Sequence, residues 1–209
     1  MGLVTPTRAI VRRPSQCYAA CLRHDPRPID VALAQQQHAG YVQALREAGV
    51  VVEELAELDS PDACFVEDTA VVLGDRALVT RPGAPSRRGE IDTIAAALEQ
   101  RVTVVRMTAP ATLDGGDVLR CEGALVVGLS TRTNREGLAQ LGAVAGAIGL
   151  RVVGVEVGAG LHLKSACTLA DANTLLVQPG VLAPDALGEL ELELVEVPEP
   201  EGANVLAFT

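Results

Sequence analysis

A pattern of strand, helix and strand segments recurs four times along the 209-residue chain. Each copy begins with a short β-rich run that closes in a turn or loop. These runs are Arg8 to Pro14, Arg76 to Pro82, Gly123 to Leu129 and Asn173 to Pro179. Ala77 and Ala124 are 47 residues apart, and Ala124 and Thr174 are 50 residues apart. This period is too long for most helical solenoids and indicates a blade-like module repeated around an axis.

Each β-rich run is followed by a segment of helical periodicity and then by a second β-branched run. Apolar residues recur at i, i+3 and i+4 in the helical segments, and Gly49 and Gly149 suit C-terminal helix caps. The predicted helices cover residues 30–49, 87–100, 134–149 and 184–192. The predicted strands that follow them cover residues 50–58, 101–107, 150–157 and 195–198.

A further strand precedes the pattern in the middle and last units. Residues 65–73 turn through Gly74 and Asp75, residues 117–121 turn through Glu122 and Gly123, and residues 164–169 fit the same place. A Gly-Asp or Asp-Gly pair between β-rich runs favours a hairpin. The complete module is therefore predicted to be ββαβ, and residues 1–209 are predicted to form one α/β domain.

The two ends of the chain do not match the middle. The first unit begins at its second strand, and residues 203–209 have the character of the first strand of another unit. We expect that a unit of about 50 residues is absent from this sequence and would close a ring of modules.

Charge and cysteine content restrict the partners and the compartment. The 17 basic and 27 acidic residues give a net charge of −10, which disfavours nucleic acid and favours cationic ligands. No apolar run approaches the roughly 18 residues that span a membrane. Five cysteines at irregular spacing predict reduced thiols in the cytoplasm, with no disulfide framework and no metal site.

Three clusters of polar residues lie at corresponding places near the first strand of a unit. The first contains Asp62, Glu67 and Asp68, the second contains Asp114, and the third contains His162. Equivalent positions in a radial repeat converge on the central axis, so these side chains are predicted to share one site. Each cluster also has a structural alternative. The first could be a solvated strand edge, the second an ordinary Gly-Asp turn, and the third a structural histidine.

A histidine held by a carboxylate can act as a general acid or base near neutral pH, and Asp114 is the candidate partner of His162. Arg87 and Arg132 occupy equivalent loops in the second and third units. Their guanidinium groups suit recognition of a carboxylate, and exposed surface charge is the alternative.

Five segments together resemble the dimethylarginine dimethylaminohydrolase family of guanidino-modifying enzymes. They are PDACFVEDT, TRPGAPSRRGE, TLDGGDVL, GLSTRTN and GLHLKS, in this order. The resemblance implies a pentein-type α/β propeller of five ββαβ modules, here about four modules with the fifth truncated. It also implies hydrolysis of methylated arginine to citrulline and a methylamine, without a cofactor.

The resemblance implies roles for eight residues. His162 corresponds to the general acid and base, and Asp114 to its carboxylate partner. Asp68 and Glu67 correspond to guanidinium binders, Asp62 to the contact with the substrate α-amino group, and Leu22 to a lid residue. Arg87 and Arg132 correspond to residues near the substrate carboxylate.

None of the five cysteines corresponds to the nucleophile of that family, which we expect in a segment beyond residue 209. Cys64 and Cys167 are closest to the motifs, but cysteines in strands are usually inert core residues. We therefore expect this chain alone to be inactive. An arginine deiminase, an amidinotransferase and a noncatalytic guanidino-ligand binder are the alternatives, and a homodimer is compatible with each of them.

Overall fold

The computed structural model describes residues 5–23, 25, 27–157, 162–183, 187–188 and 190–208. Within these residues the chain forms four small sheets from eleven strands, together with three α-helices. None of the helices in these ranges is long and apolar enough to cross a membrane.

The first unit has the predicted strand, helix and strand order. Strand β1 (Arg8–Arg12) pairs in parallel with β2 (Val51–Leu55), and helix α1 (Val31–Glu47) connects them. The helix begins after Asp30, whose carboxylate accepts a hydrogen bond from the Leu33 N–H and so satisfies a free helix-end donor. The helix packs on the sheet through a small aliphatic core formed by Val11, Val42, Leu45 and Val50.

The second unit has the complete ββαβ order. Strand β3 (Ala70–Leu73) pairs antiparallel with β4 (Arg76–Val79). Strand β4 pairs in parallel with β5 (Thr103–Arg106), and helix α2 (Ile91–Glu99) connects these two strands. Gly74, with a φ of 67°, occupies the hairpin turn, where a residue with a Cβ would be strained.

The third unit repeats this arrangement. Strand β6 (Val118–Cys121) pairs antiparallel with β7 (Ala124–Leu129), which pairs in parallel with β8 (Arg151–Glu156). Helix α3 (Arg135–Gly146) connects β7 and β8 and begins after Asn134, whose side chain accepts from the Gly137 N–H. One aliphatic core cluster lies between the second and third units and is formed by residues that include Leu73, Leu78, Leu113, Leu125 and Leu141.

The fourth unit retains the three-stranded sheet. Strand β9 (Cys167–Leu169) pairs antiparallel with β10 (Thr174–Val177), which pairs in parallel with β11 (Glu193–Glu196). The predicted helix over 184–192 includes residues 184–186 and 189, which lie outside the described residues. The described part of that segment has no helical assignment.

The prediction of a strand over 203–209 is wrong for the part that the structure describes. Residues 204–208 have no strand assignment, and residue 209 lies outside the described residues. The Thr168 hydroxyl donates to the Ala203 carbonyl oxygen at 2.7 Å and accepts from the Val205 N–H at 2.9 Å. A side chain therefore supplies the hydrogen bonds that a neighbouring strand provides in a sheet.

The predicted first strands of three units begin later than expected. A 3₁₀ turn formed by Val66–Thr69 precedes β3, Gly115–Asp117 precede β6, and Leu163–Ser165 precede β9. The first turn contacts the second, and the second contacts the third. Glu67 and Asp68 lie in the first turn, and Asp114 and His162 directly precede the second and third turns. The contacts between the turns therefore bring these polar residues into one region of the molecule.

Candidate active site

A cavity of about 840 Å³ opens where the three 3₁₀ turns meet. Seven of the eight predicted site residues line it, and the eighth, Asp114, is completely buried behind His162. The seven are Leu22, Asp62, Glu67, Asp68, Arg87, Arg132 and His162. The fold therefore brings together side chains that are distant in the sequence, as the repeat predicts.

His162 and Asp114 form a directly hydrogen-bonded pair. The His162 Nε2 atom lies 3.0 Å from Asp114 Oδ2, and the other carboxylate oxygen of Asp114 accepts from the Gly83 N–H at 2.9 Å. Asp114 has no exposed surface. Its carboxylate therefore has a defined orientation and holds the imidazole at the cavity wall.

Asp68 is placed beside this pair. Its Oδ1 atom lies 3.8 Å from His162 Nε2 and accepts from the Gly116 N–H at 2.9 Å. A Cβ at position 116 would lie 2.7 Å from Asp68 Oδ1 and 2.9 Å from His162 Cγ. Glycine is therefore required at position 116 for the imidazole and this carboxylate to approach each other.

Arg87 is buried and bonded to carboxylates of its own chain. Its Nη1 atom donates to Asp68 Oδ2 at 2.5 Å, and its Nε and Nη2 atoms donate to Glu90 Oε2 at 3.0 and 2.9 Å. Burial alone would lower the pKa of Arg87, but the charges of Asp68 and Glu90 outweigh it and raise the pKa. Arg87 therefore orients Asp68, and its contact with a substrate carboxylate stays a prediction.

Asp62 and Leu22 are joined across the cavity rim. The Leu22 N–H donates to Asp62 Oδ1 at 2.9 Å, which anchors the segment that carries Leu22. Asp62 is buried, whereas the Leu22 side chain is 39% exposed. The predicted lid residue and the predicted α-amino contact are therefore neighbours.

Glu67 and Asp68 face different surroundings and lie in a 3₁₀ turn, whereas the sequence predicts a strand over residues 65–73. Asp68 is buried, and Glu67 is exposed. The Lys164 Nζ atom donates to Glu67 Oε1 at 2.5 Å, so a cation of the chain already pairs with Glu67. Sequence reasoning missed Lys164, although it lies two residues after His162 in the quoted segment GLHLKS.

Arg132 lies in the loop between β7 and α3. Its backbone N–H donates to the Ser130 hydroxyl at 3.0 Å, and its backbone packs against Gly83, where a Cβ would overlap it. Within the described part of the chain no ion pair involves its guanidinium group. This group is therefore available to an anion in the cavity.

The environment of His162 favours its protonated form. Burial alone would lower the pKa of His162, but the hydrogen bond to Asp114 and the charges of Asp68, Asp117 and Asp114 outweigh it and raise the pKa. Protonation of His162 therefore stabilises the folded state fully below the unfolded value of about 6.5. This stabilisation is lost as the pH rises through the pKa of the folded state.

We expect the Asp114→Asn substitution to lower the pKa of His162, because it removes the charged hydrogen-bond acceptor. Nuclear magnetic resonance titration of the imidazole protons measures the shift. His38 is an internal reference, since the charged groups that act on its pKa are Glu54 and Arg13 and do not include Asp114. An unchanged titration of His162 in the variant would contradict the electrostatic role of Asp114.

Asp68, Asp114 and His162 form one possible metal-binding cluster among the described residues. One ligand atom from each of Asp68, Asp114 and His162 lies within 4.8 Å of the others. The carboxylates already accept hydrogen bonds from Arg87, Gly116 and Gly83. Both carboxylates are therefore already hydrogen-bonded within the protein, and the absence of a cofactor stays a prediction.

Three of the five cysteines are unfavourable nucleophiles. Burial raises the pKa of the thiols of Cys64 and Cys167 to about 12 and that of Cys121 to about 11. A thiol of this kind is almost entirely protonated at neutral pH, and the thiolate is the nucleophilic form. No cysteine sulfur belongs to the cluster of Asp68, Asp114 and His162.

Comparison with known proteins gives consistent matches. The family profile described as arginine deiminase matches residues 58–194. The N(G),N(G)-dimethylarginine dimethylaminohydrolase of Streptomyces coelicolor is 40% identical over 203 residues, which cover 95% of this chain and 78% of that protein.

Two solved structures have the same fold. The Pseudomonas aeruginosa dimethylarginine dimethylaminohydrolase, a cysteine-to-serine variant with citrulline, has a TM-score of 0.87 and 32% identity. The match covers 95% of this chain and 78% of that one. A histidine-to-glycine dimethylarginine dimethylaminohydrolase, an adduct with S-methyl-L-thiocitrulline, has a TM-score of 0.89 and 30% identity over 96% and 80% of the two chains.

The fold and the matched profile define the class as the amidine-hydrolysing α/β enzymes with the pentein fold. Within this class, the chain belongs to the dimethylarginine dimethylaminohydrolase family. The resemblance inferred from the five sequence segments is confirmed at the level of the family. The number of blades and the additional unit stay predictions.

Proposed function

We propose that the protein hydrolyses Nω-methylated arginine, either asymmetric dimethylarginine or monomethylarginine, to citrulline and a methylamine. The observation that carries the proposal is the His162–Asp114 pair, 3.0 Å apart, beside Asp68 at the wall of the cavity. Support also comes from the relatives named as dimethylarginine dimethylaminohydrolases, one of which is solved with citrulline.

In this proposal the substrate is held at both ends. Asp68 binds the guanidinium group, because carboxylate oxygens can accept further hydrogen bonds beside those from Arg87 and Gly116. Glu67 attracts the substrate guanidinium group at the mouth of the cavity. At the other end Asp62 binds the α-amino group, Arg132 binds the carboxylate, and Leu22 covers the site, while Arg87 holds Asp68 in place for the guanidinium group.

The chemistry requires a nucleophile, an acid and a base. A thiolate attacks the central guanidinium carbon, and His162 donates a proton to the methylamine that departs. His162 then accepts a proton from water, which attacks the S-alkylthiouronium carbon and releases citrulline and the thiolate. Because none of the five cysteines joins the cluster, we propose that a cysteine outside these 209 residues supplies the thiolate.

Three alternative functions would use the same site residues. An arginine deiminase is favoured by the description of the matched profile, and an amidinotransferase would use the same groups. A noncatalytic guanidino-ligand binder would retain the carboxylates and arginines without a nucleophile. A cysteine encoded in a strand-like segment after residue 209 would support an enzyme, and its absence there would support the binder.

Citrulline release measured side by side from arginine and from its methylated forms tests the proposal on the protein translated from the whole coding region. We expect release from monomethylarginine or asymmetric dimethylarginine to exceed release from arginine. Activity on arginine alone would reject the proposal in favour of a deiminase. Binding without turnover of any of these compounds would support the noncatalytic binder.

The partners and the compartment are part of the same proposal. The net charge of −10 and the five free thiols support a cytoplasmic enzyme without a nucleic acid or membrane partner. A homodimer is the proposed assembly, and gel filtration at several protein concentrations tests it.

A further inference from the structure

Asp117 is a completely buried carboxylate that the proposed reaction does not use. It is the last residue of the 3₁₀ turn that carries the glycine pair, and it directly precedes β6. Burial raises the pKa of Asp117, although its hydrogen bonds and the charge of His162 act in the opposite direction. A buried carboxylate costs free energy unless it is well bonded, so its contacts need an explanation.

Three hydrogen-bond donors converge on this carboxylate. The hydroxyls of Ser130 and Thr133 donate to Oδ2 at 2.8 and 2.6 Å, and the Leu163 N–H donates to Oδ1 at 2.9 Å. Gly128 in β7 makes room for this arrangement, since a Cβ there would lie 2.9 Å from Leu163 Cβ and 3.3 Å from Asp117 Oδ1.

The donors come from two segments that line the site. Leu163 directly follows His162, so its N–H fixes the backbone beside the imidazole. Ser130 and Thr133 flank Arg132 in the loop after β7, and the Ser130 hydroxyl oxygen accepts from the Arg132 N–H at 3.0 Å. One carboxylate therefore contacts both the acid-base segment and the segment of the predicted carboxylate-binding arginine.

The network also reaches Asp114. The Thr133 hydroxyl oxygen accepts from the Asp114 N–H at 3.2 Å while its proton points to Asp117. His162 is thus held from two sides, by the Asp114 carboxylate at its ring and by Asp117 at the following peptide.

Only a deprotonated carboxylate at position 117 can accept from the Ser130 hydroxyl, the Thr133 hydroxyl and the Leu163 N–H together. The Ser130 oxygen already accepts from the Arg132 and Thr133 N–H groups, so its single proton must go to Asp117. An asparagine at position 117 would direct its NH₂ group either at the two hydroxyls or at the Leu163 N–H. Each orientation leaves buried donors without an acceptor.

We propose that Asp117 is a positioning residue that sets the distance between His162 and the loop of Arg132, so that the acid-base group and the carboxylate-binding arginine act as one unit. The inference rests on the proposed function for the roles of these two residues. Its geometric part, the coupling of the two segments through Asp117, stands on the hydrogen bonds alone.

The test uses Asp117→Asn, with Asp92→Asn as the matched control, because Asp92 is an exposed carboxylate that pairs with Arg106 on the surface. Kinetics of the protein translated from the whole coding region are measured with methylated arginine and with N,N-dimethylguanidine, which lacks the α-carboxylate. We expect kcat/KM for methylated arginine in Asp117→Asn to fall about 10- to 100-fold, with a lower kcat and a higher KM. For dimethylguanidine we expect a lower kcat without the increase in KM.

Two further readouts do not depend on activity. Hydrogen exchange at the Leu163 amide is expected to become faster in Asp117→Asn. The pKa of His162 is expected to fall, because the charge of Asp117 contributes to raising it. If Asp117→Asn does not fold, Ser130→Ala and Thr133→Val each remove one donor, and the same measurements apply to them. Absence of hydrolysis with faster exchange at Leu163 would reject the proposed function and retain the coupling.

Kinetics and Leu163 exchange equal to those of Asp92→Asn would overturn the inference. An equal loss of kcat/KM on both substrates, with the Leu163 amide as protected as in the unsubstituted protein, would also overturn it, because this pattern describes a general loss of stability.

Discussion

The His162→Ala substitution is expected to reduce the kcat for methylated arginine by about 100-fold or more, the usual contribution of a general acid or base. The departing amine would leave without a proton donor, and the attacking water would lose its base. Nδ1 is the nitrogen proposed for this role, because Nε2 is already paired with Asp114 Oδ2 at 3.0 Å. Steady-state citrulline release from the protein translated from the whole coding region gives the value.

Two controls separate this effect from misfolding. Gln43→Ala changes an exposed side chain on α1 that pairs with Glu47, and it should keep the original kcat. Citrulline binding to His162→Ala should persist, since the proposed binding groups remain in place. Near-normal turnover by the variant would reject the acid-base role of His162.

The Asp68→Asn substitution is expected to cause the largest loss of substrate affinity. Removal of one partner from a buried, hydrogen-bonded charge pair costs about 2 to 5 kcal/mol, which corresponds to a loss of roughly 30-fold or more. Asp68 is buried, lines the cavity and lies 3.8 Å from the imidazole. Isothermal titration with methylated arginine under nonhydrolysing conditions measures the loss.

The decisive feature is that Asp68→Asn should weaken binding of the cationic ligand much more than binding of a neutral one. Citrulline carries a neutral ureido group, so Asp68→Asn should weaken citrulline binding far less than guanidinium binding, and Asp92→Asn should weaken neither. Asn at position 68 also leaves Arg87 with Glu90 as its remaining carboxylate partner. A thermal unfolding measurement therefore accompanies the titration. Equal losses for the neutral and the cationic ligand would contradict guanidinium binding by Asp68.

The helices and strands away from the site follow from local patterns. Helix α1 lies within the predicted segment 30–49 and begins after the capping residue Asp30, and α3 begins after Asn134. Apolar periodicity and capping residues act within a few positions, so the sequence contains the information for these elements.

The turns that carry the site could not be predicted in this way. Residues 65–69 look like the start of a strand, yet Val66–Thr69 form a 3₁₀ turn whose Glu67 backbone packs tightly against Gly115. The Thr69 hydroxyl closes the turn by donating to the Val66 carbonyl oxygen at 2.6 Å. Contact with the turn of the next unit, which lies more than 40 positions away, decides the conformation.

The sequence by itself determined the repeated module, because local periodicity encodes helices and strands. The resemblance of five segments indicated the family and the polar residues of the site. Only the tertiary structure decided which charges pair: Asp68 with Arg87, and Glu67 with Lys164, 97 positions away. It also revealed that Asp117 joins the segments of Arg132 and His162. Such pairings depend on the packing of one unit against the next, and no local pattern in the chain encodes the distances between those side chains.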